Sequence, residues 1–442
     1  MHRLILFFLA FLFLSSCQNE SAKIATNPYE YKDIITSDIP LFWEAYDKIQ
    51  TTDDSVLQMQ YLQKLFLDKG SIGLRTIQEV RNYQPEEYLE AIRNYPEYWK
   101  SIRENTLKAP MYAAEIQKGV DGFKEWYPDY RPAKVYFEIG VFRTPGTALD
   151  SVIMIGAELA MSDEKTVVNE LPESMNYVRD YVKGNPVQDL AFLNVHEYVH
   201  SQQTTSRGYD LLSQSVFEGS AEFIAEIVTG QASIQPAIAY GKANDAKVKK
   251  RFTEEMYAPW IYNWIWNSKD NEFSTRDLGY YIGYAIVSRF YEQAADKKAA
   301  FKTLIELDYT DPATIESFVQ ATGYFDQPLD ALKVAYEDSR PEVAGFKGLD
   351  MNATNVKPGR QQFTVIFDQA MDKRFRSTDF GALGKDHFPK IETIEFSDDG
   401  RSATYTVLME PNTNYDMMIE SGYRNKRAIP LKPFNLKFRT GV

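Results

Sequence analysis

The chain has very few of the residues that stitch proteins together or hold metals. It has one cysteine, Cys17, in 442 residues, so no disulfide within the chain can form. It has four histidines, His2, His196, His200 and His387. Its basic residues are outnumbered, 49 against 62 acidic ones, for a formal charge of -13. Nucleic acid rewards clustered Lys and Arg, so it is not an expected partner. The apolar run at residues 4–14 is too short to span a bilayer, which takes about 20 residues in a helix. What remains is globular in character: 44% of residues are hydrophobic and 25% charged, so disorder is not expected away from the ends. The length is large for one core, and two folded units are expected.

The start is the first informative stretch. Arg3, the apolar run and then Ser15-Ser16 make a signal peptide over 1–16. Leu14-Ser15-Ser16-Cys17 resembles a bacterial lipobox. That resemblance implies a lipid on Cys17 and a chain anchored to a membrane rather than spanning it. Gln18, in place of an aspartate, favours the outer membrane of a bacterial envelope. Residues 17–28 read as a polar tether. Losing 1–16 removes Arg3 and leaves 62 acidic against 48 basic residues, near -14.

Residues 29–340 read as mainly helical. Asp38 is expected to cap a helix ahead of Pro40. Val56, Met59, Leu62 and Phe66 recur at helical spacing and stop at Gly70. Residues 135–139 and 151–155 are β-rich and read as a strand pair, joined by a loop holding Pro145 and Gly146. Two helices follow, one from near Pro186 and one ending at Gly230. More helix is expected around Trp260, Trp264 and Trp266, then a long amphipathic segment from Leu278. From about 341 the texture changes to alternating strands such as FTVIFDQAMD and LKFRTGV, a β-sandwich of about 100 residues. The expected fold class is multidomain: a mainly α (α+β) domain with its core at 130–310, then an all-β sandwich over 341–442.

The chemistry concentrates at FLNVHEYVHSQQ. His196 and His200 stand four apart, so on a helix they share a face and can aim two imidazoles at one point. Zn²⁺ accepts such nitrogens, and Glu197 between them is placed to reach a bound water. A catalytic site needs a third ligand. His387 lies in the sandwich, so an acid must serve. VFEGSAEFIAE offers Glu218, Glu222 and Glu226 on one face, a stripe that repels itself unless a positive charge neutralises it. Glu218 is the expected ligand and Glu222 the acceptor for a histidine N–H.

His196-Glu197-Tyr198-Val199-His200 followed by Glu218-Gly219-Ser220-Ala221-Glu222 resembles the gluzincin metallopeptidases. It is similar, more closely, to predicted zinc-dependent proteases among bacterial lipoproteins related to gliding-motility lipoproteins. Those have a comparable stretch to Gly279-Tyr280-Tyr281-Ile282-Gly283-Tyr284. The 17-residue gap from His200 to Glu218, and Glu222 in place of Asp, depart from the family pattern. Residues 345–442 resemble bacterial Ig-like domains. The resemblance implies a zincin-like fold with one Zn²⁺ per chain, held by His196, His200 and Glu218. Glu197 would be the general base, and the substrate a peptide or protein. A tyrosine would stabilise the oxyanion: Tyr280, Tyr281 and Tyr284 are candidates, with Tyr281 preferred. A non-peptide amide is the second substrate class. The rival reading is an envelope lipoprotein without catalysis, using the cleft or the Ig-like domain to bind a protein or polymer partner.

Overall fold

Before the first sheet is complete, the chain builds a helical layer. The computed structural model describes residues 31–442, so the expected signal peptide, Cys17 and the tether lie outside the described residues. Six helices come first: α1 (Asp38–Ile49), α2 (Ser55–Tyr61), α3 (Ile72–Arg81), α4 (Pro85–Asn94), α5 (Pro96–Leu107) and α6 (Ala113–Trp126). Their inner faces are aromatic. Phe42 packs on Phe66 and Trp99 with ring centres 5.4 and 5.0 Å apart, all three fully buried. Burying side chains of this size contributes about 1.5–3 kcal/mol each.

Two local expectations fail here. Asp38 does not cap α1; it is the first helical residue, and its carboxylate accepts from Ser71 N–H at 2.8 Å and Ser71 Oγ at 2.5 Å. Ser71 is the N-cap of α3, so Asp38 braces the next helix rather than its own. Val56 is largely exposed, because α2 gives way at Tyr61 to a π-turn over Leu62–Phe66 that rotates Leu62 and Phe66 inward and leaves Val56 out.

The first sheet has the order β1-β2-β4-β3, from β1 (Ile34–Ile35), β2 (Lys134–Glu138), β3 (Gly146–Leu149) and β4 (Val152–Gly156). The two β-rich stretches are β2 and β4, and they run parallel rather than as a hairpin. The stretch expected as a loop holds β3, which pairs antiparallel with β4 from Gly146↔Ile155 to Leu149↔Val152. Its sequence, GTAL, has little strand propensity. Pairing with β4 makes it a strand, and it lies at the sheet edge.

The helical body continues with α7 (Ala157–Ala160), α8 (Asn176–Lys183), α9 (Leu190–Gln202), α10 (Leu211–Thr229), α11 (Pro236–Thr253), α12 (Leu278–Gln293), α13 (Lys297–Glu306), α14 (Pro312–Thr322) and α15 (Leu329–Ser339). The tryptophan-rich stretch is not helical. Residues 254–277 form a loop with one short turn at Ile261–Asn263, and Trp266, Ser274 and Asp277 take positive φ. The long amphipathic segment is two helices, α12 and α13. α10 starts on an Asp210 cap, whose side chain accepts from Ser213 N–H, and stops at Gly230 with φ +69°. α10 and α12 touch backbone to backbone. A Cβ at Gly283 would sit 1.6 Å from Ser215 O, and one at Gly219 2.2 Å from Tyr284 N. The glycines of the Gly-Tyr segment are therefore contact points that set how closely α12 lies on α10.

A second, separate core follows. β5 (Val343–Lys347), β6 (Gly359–Phe367), β8 (Lys390–Phe396) and β9 (Ser402–Met409) form one antiparallel sheet in the order β5-β6-β9-β8. β7 (Thr378–Phe380), β10 (Asn414–Ile419) and β11 (Phe434–Arg439) form another, ordered β11-β10-β7. Alternate residues of both sheets, such as Tyr405, Val407, Met417 and Leu436, fill the space between them. The fold is thus a mixed α and β protein with several small sheets. The two cores meet through Ala258, Tyr336 and Ile429, beside an Arg427–Glu254 ion pair at 2.6 Å. Among the described residues no helix is long and apolar enough to cross a membrane.

Candidate metal centre

α9 is buried on nearly every side, its polar residues Asn194, His196, Glu197, Ser201 and Gln202 included. Its two histidines face α10. His200 Nε2 lies 3.1 Å from His196 Nε2 and 3.1 Å from Glu218 Oε2, and His196 Nε2 lies 3.6 Å from Glu218 Oε2. Metal bonds of 2.0–2.1 Å at tetrahedral angles would set such atoms ~3.4 Å apart. The residues present therefore fit one ion without rearrangement, and this buried group could hold a metal.

Both rings are fixed by their second nitrogen. His196 Nδ1 is 2.9 Å from Glu222 Oε2, and His200 Nδ1 is 2.7 Å from Gln203 Oε1. Glu222 is itself bonded by Ser233 Oγ, and Gln203 donates to Phe217 O at 3.2 Å. His200 also stacks on Phe217, with ring centres 4.6 Å apart. Such partners fix the tautomer and aim the other nitrogen inward. Gln203 was not singled out in the sequence. Its signal was its position, three residues past His200 at the end of α9. Ser233 gave none, since it comes from the loop beyond α10.

The acid stripe of α10 divides. Glu218 and Glu222 meet the histidines, whereas Glu226 turns to the Tyr284 hydroxyl at 3.0 Å and to Lys242 at 3.6 Å. Burial raises the Glu218 carboxyl, but His200 and His196 outweigh it and hold it far below the usual range. Burial works against charge on His196, yet Glu218 and Glu222 keep its pKa well above the ordinary value. Without a metal, then, positive charge on His196 is favoured by the two carboxylates beside it.

Glu197 has a different setting. It is buried, and no hydrogen bond from a described residue reaches its carboxylate. Burial pushes its pKa up; His196 and His200 oppose that and Glu218 adds to it. Edge strand β3 passes directly over it. A Cβ at Gly146 would meet Glu197 Oε1 at 2.8 Å, so the glycine makes room for the carboxylate.

The tyrosines correct one expectation. Tyr281 does not face the centre. Its hydroxyl donates to Asp245 Oδ1 at 2.8 Å, and its ring lies over Gly241 of α11. Tyr280 is the one beside the candidate ligands, its ring stacked 6.5 Å from that of His196. Burial, Glu218 and Asp277 push its pKa well above the ordinary value. Tyr284 serves Glu226. His387, exposed on the turn before β8, bonds Asn414 O at 2.7 Å.

No family model matches this chain, and no curated protein matches it. Two solved structures of the surface-layer protein SbsC align with 74% of this chain at 12% and 13% identity, each with a TM-score of 0.18. The alignments cover 46% and 45% of those chains, less than half their length. A similarity this low carries no argument about fold or function.

Proposed function

We propose that this chain is a zinc-dependent peptidase with a zincin-like catalytic domain and a C-terminal Ig-like sandwich, anchored in a bacterial envelope through Cys17. The observation that carries the reading is the set of three ligand atoms 3.1–3.6 Å apart with an unpartnered glutamate, Glu197, next to them. His196, His200 and Glu218 would hold the ion. A bound zinc supplies Lewis acidity and brings the pKa of water down to about 7. Glu197, adjacent and unbonded, takes a proton from water and returns it to the leaving amine. Tyr280 stays protonated and donates to the oxygen that gains charge. β3, an edge strand with Gly146 above Glu197, offers backbone groups to an extended peptide. That supports a peptide over a compact amide as substrate.

The test is hydrolysis of a mixed peptide library by the full chain, with and without a chelator, beside Glu197→Gln. Cleavage that stops with the chelator and falls by roughly 10²–10⁴-fold in Glu197→Gln supports the reading. Cleavage retained by Glu197→Gln contradicts the role of that residue. No cleavage by metal-loaded wild type favours the rival, an envelope lipoprotein that binds without catalysis.

A further inference from the structure

Away from the metal centre, this acidic chain carries a concentrated basic face. Lys373, Arg374 and Arg376 lie between β6 and β7, and Arg424, Lys426 and Arg427 between β10 and β11. The two connections run side by side: Asp372 N–H donates to Arg424 O at 2.8 Å, and Met371 bridges Asn425. They face Trp260 of the loop after α11. Trp260, Arg374, Phe375, Arg376, Gly422 and Arg424 line an open cavity of about 580 Å³. Small-molecule sites typically occupy about 300–1,000 Å³.

The arginines differ in what they already hold. Arg427, just outside, pairs with Glu254. Arg374 forks onto Asp372 at 3.0 and 2.6 Å. Arg376 gives one N–H to Ile394 O at 3.3 Å and is otherwise exposed. Arg424 lies against two rings, 4.8 Å from the Trp260 ring centre and 3.3 Å from that of Phe375. Among the described residues it has no carboxylate partner. Burial lowers its pKa, Asp372 opposing and Arg374 adding to the effect. The Trp260 Nε1–H is buried and has no acceptor among the described residues. A partly desolvated guanidinium with no counter-ion is unfavourable, and an anion in the cavity would relieve it.

The charge suggests which anion. Three lining arginines less Asp372 leave two positive charges. A phosphomonoester carries about -1.5 to -2 at neutral pH and matches them. Guanidinium groups fork onto phosphate oxygens in pairs. We propose that this cavity binds a phosphomonoester on a small polar body, a sugar phosphate in chemical class, through Arg424 and Arg376, with Trp260 and Phe375 as its walls. The site stands whether or not the metal centre hydrolyses peptides.

Calorimetric titration of the full chain tests this. The arms are glucose 6-phosphate, inorganic phosphate, glucose, and phosphatidylcholine vesicles containing phosphatidic acid. Glucose 6-phosphate is expected to bind more tightly than inorganic phosphate, and glucose not at all. Arg424→Gln and Arg376→Gln should each weaken binding by roughly tenfold or more. Arg376 is exposed, so its variant does not put folding at risk. Unchanged affinity in Arg376→Gln, or no binding of glucose 6-phosphate at millimolar concentration, would overturn the site. Inorganic phosphate binding equally well would overturn the role of the walls. Tighter binding to the vesicles would overturn the small-molecule source in favour of a lipid headgroup.

Discussion

Glu218 and Glu222 on α10, and Glu138 at the end of β2 with Glu158 on α7, are all buried, and their surroundings are opposite. The first two meet imidazoles at 3.1 and 2.9 Å. In the second pair, Glu158 accepts two backbone N–H groups, from Gly140 at 2.9 Å and Phe142 at 3.1 Å. Neither oxygen of Glu138 has a partner among the described residues, and the hydroxyls of Tyr83 and Tyr88 beside it have none either. Burial pushes Glu158 up to about 7. Burial, with the charges of Glu158 and Asp38, pushes Glu138 well above the usual carboxylate range. One pair has imidazole nitrogens to meet its charge, and the other is pushed towards its protonated form by burial. A metal can take the place of a proton on an imidazole nitrogen, since it offers positive charge to the same lone pair. At Glu138 and Glu158 no imidazole is present, and burial shifts both carboxyls towards the protonated form instead. The comparison teaches that burial of acids does not by itself mark a metal site; the donors around them do.

The most severe way to break the contrast is His196→Ala. It leaves Glu218 and Glu222 buried without one imidazole, and losing a partner from a buried charged pair costs about 3–5 kcal/mol. Urea unfolding in the presence of chelator should register that loss. Next comes Glu138→Gln. Unfolded glutamates ionise near 4.5, whereas in the fold Glu158 is held up to about 7 and Glu138 is raised well above its ordinary value. The native state therefore binds more protons than the unfolded state in that window. Wild-type stability should be full below it and fall as pH rises through it. Glu138→Gln should flatten the slope and gain about 1–3 kcal/mol at pH 8, read from urea midpoints at pH 5 and pH 8. A flat wild-type profile would count against the protonated pair.

Smaller changes sharpen the other side. Glu222→Gln keeps a hydrogen bond to His196 but removes its charge. Metal affinity should drop by roughly 10- to 100-fold in a competition titration with a coloured chelator. Gln203→Ala removes a neutral partner of His200. About 0.5–1.5 kcal/mol is expected, a few-fold in the same titration.

How much of this was legible follows from the range of each signal. The i, i+4 geometry of His196 and His200 is local, and α10 carries Glu218 and Glu222 on one helical face, so their meeting follows from two helices packing. The choice among tyrosines depends on helix phase. Tyr280 and Tyr284 share the face that meets α9 and α10, and one residue further turns Tyr281 by about 100° onto α11. Gly279 and Gly283 hold that phase through contact with α10, which needs the partner helix to be seen. Strand β3 was hidden because GTAL becomes a strand only through β4. Glu138 and Glu158 were hidden because they meet across a sheet and a loop, with no pattern in either segment. The alternation beyond residue 341 was plain because each sheet there is buried on one face, which imposes a period of two.

The metal count is the most direct test of the central claim. Zinc would be counted by mass spectrometry in the full chain, purified without chelator or histidine tag, beside a His200→Ala, Glu218→Ala double variant. The account predicts about one zinc per wild-type chain and none in the double variant, as a single tetrahedral site requires. Equal content in both, or no zinc in wild type after zinc is added to the folded protein, would contradict it.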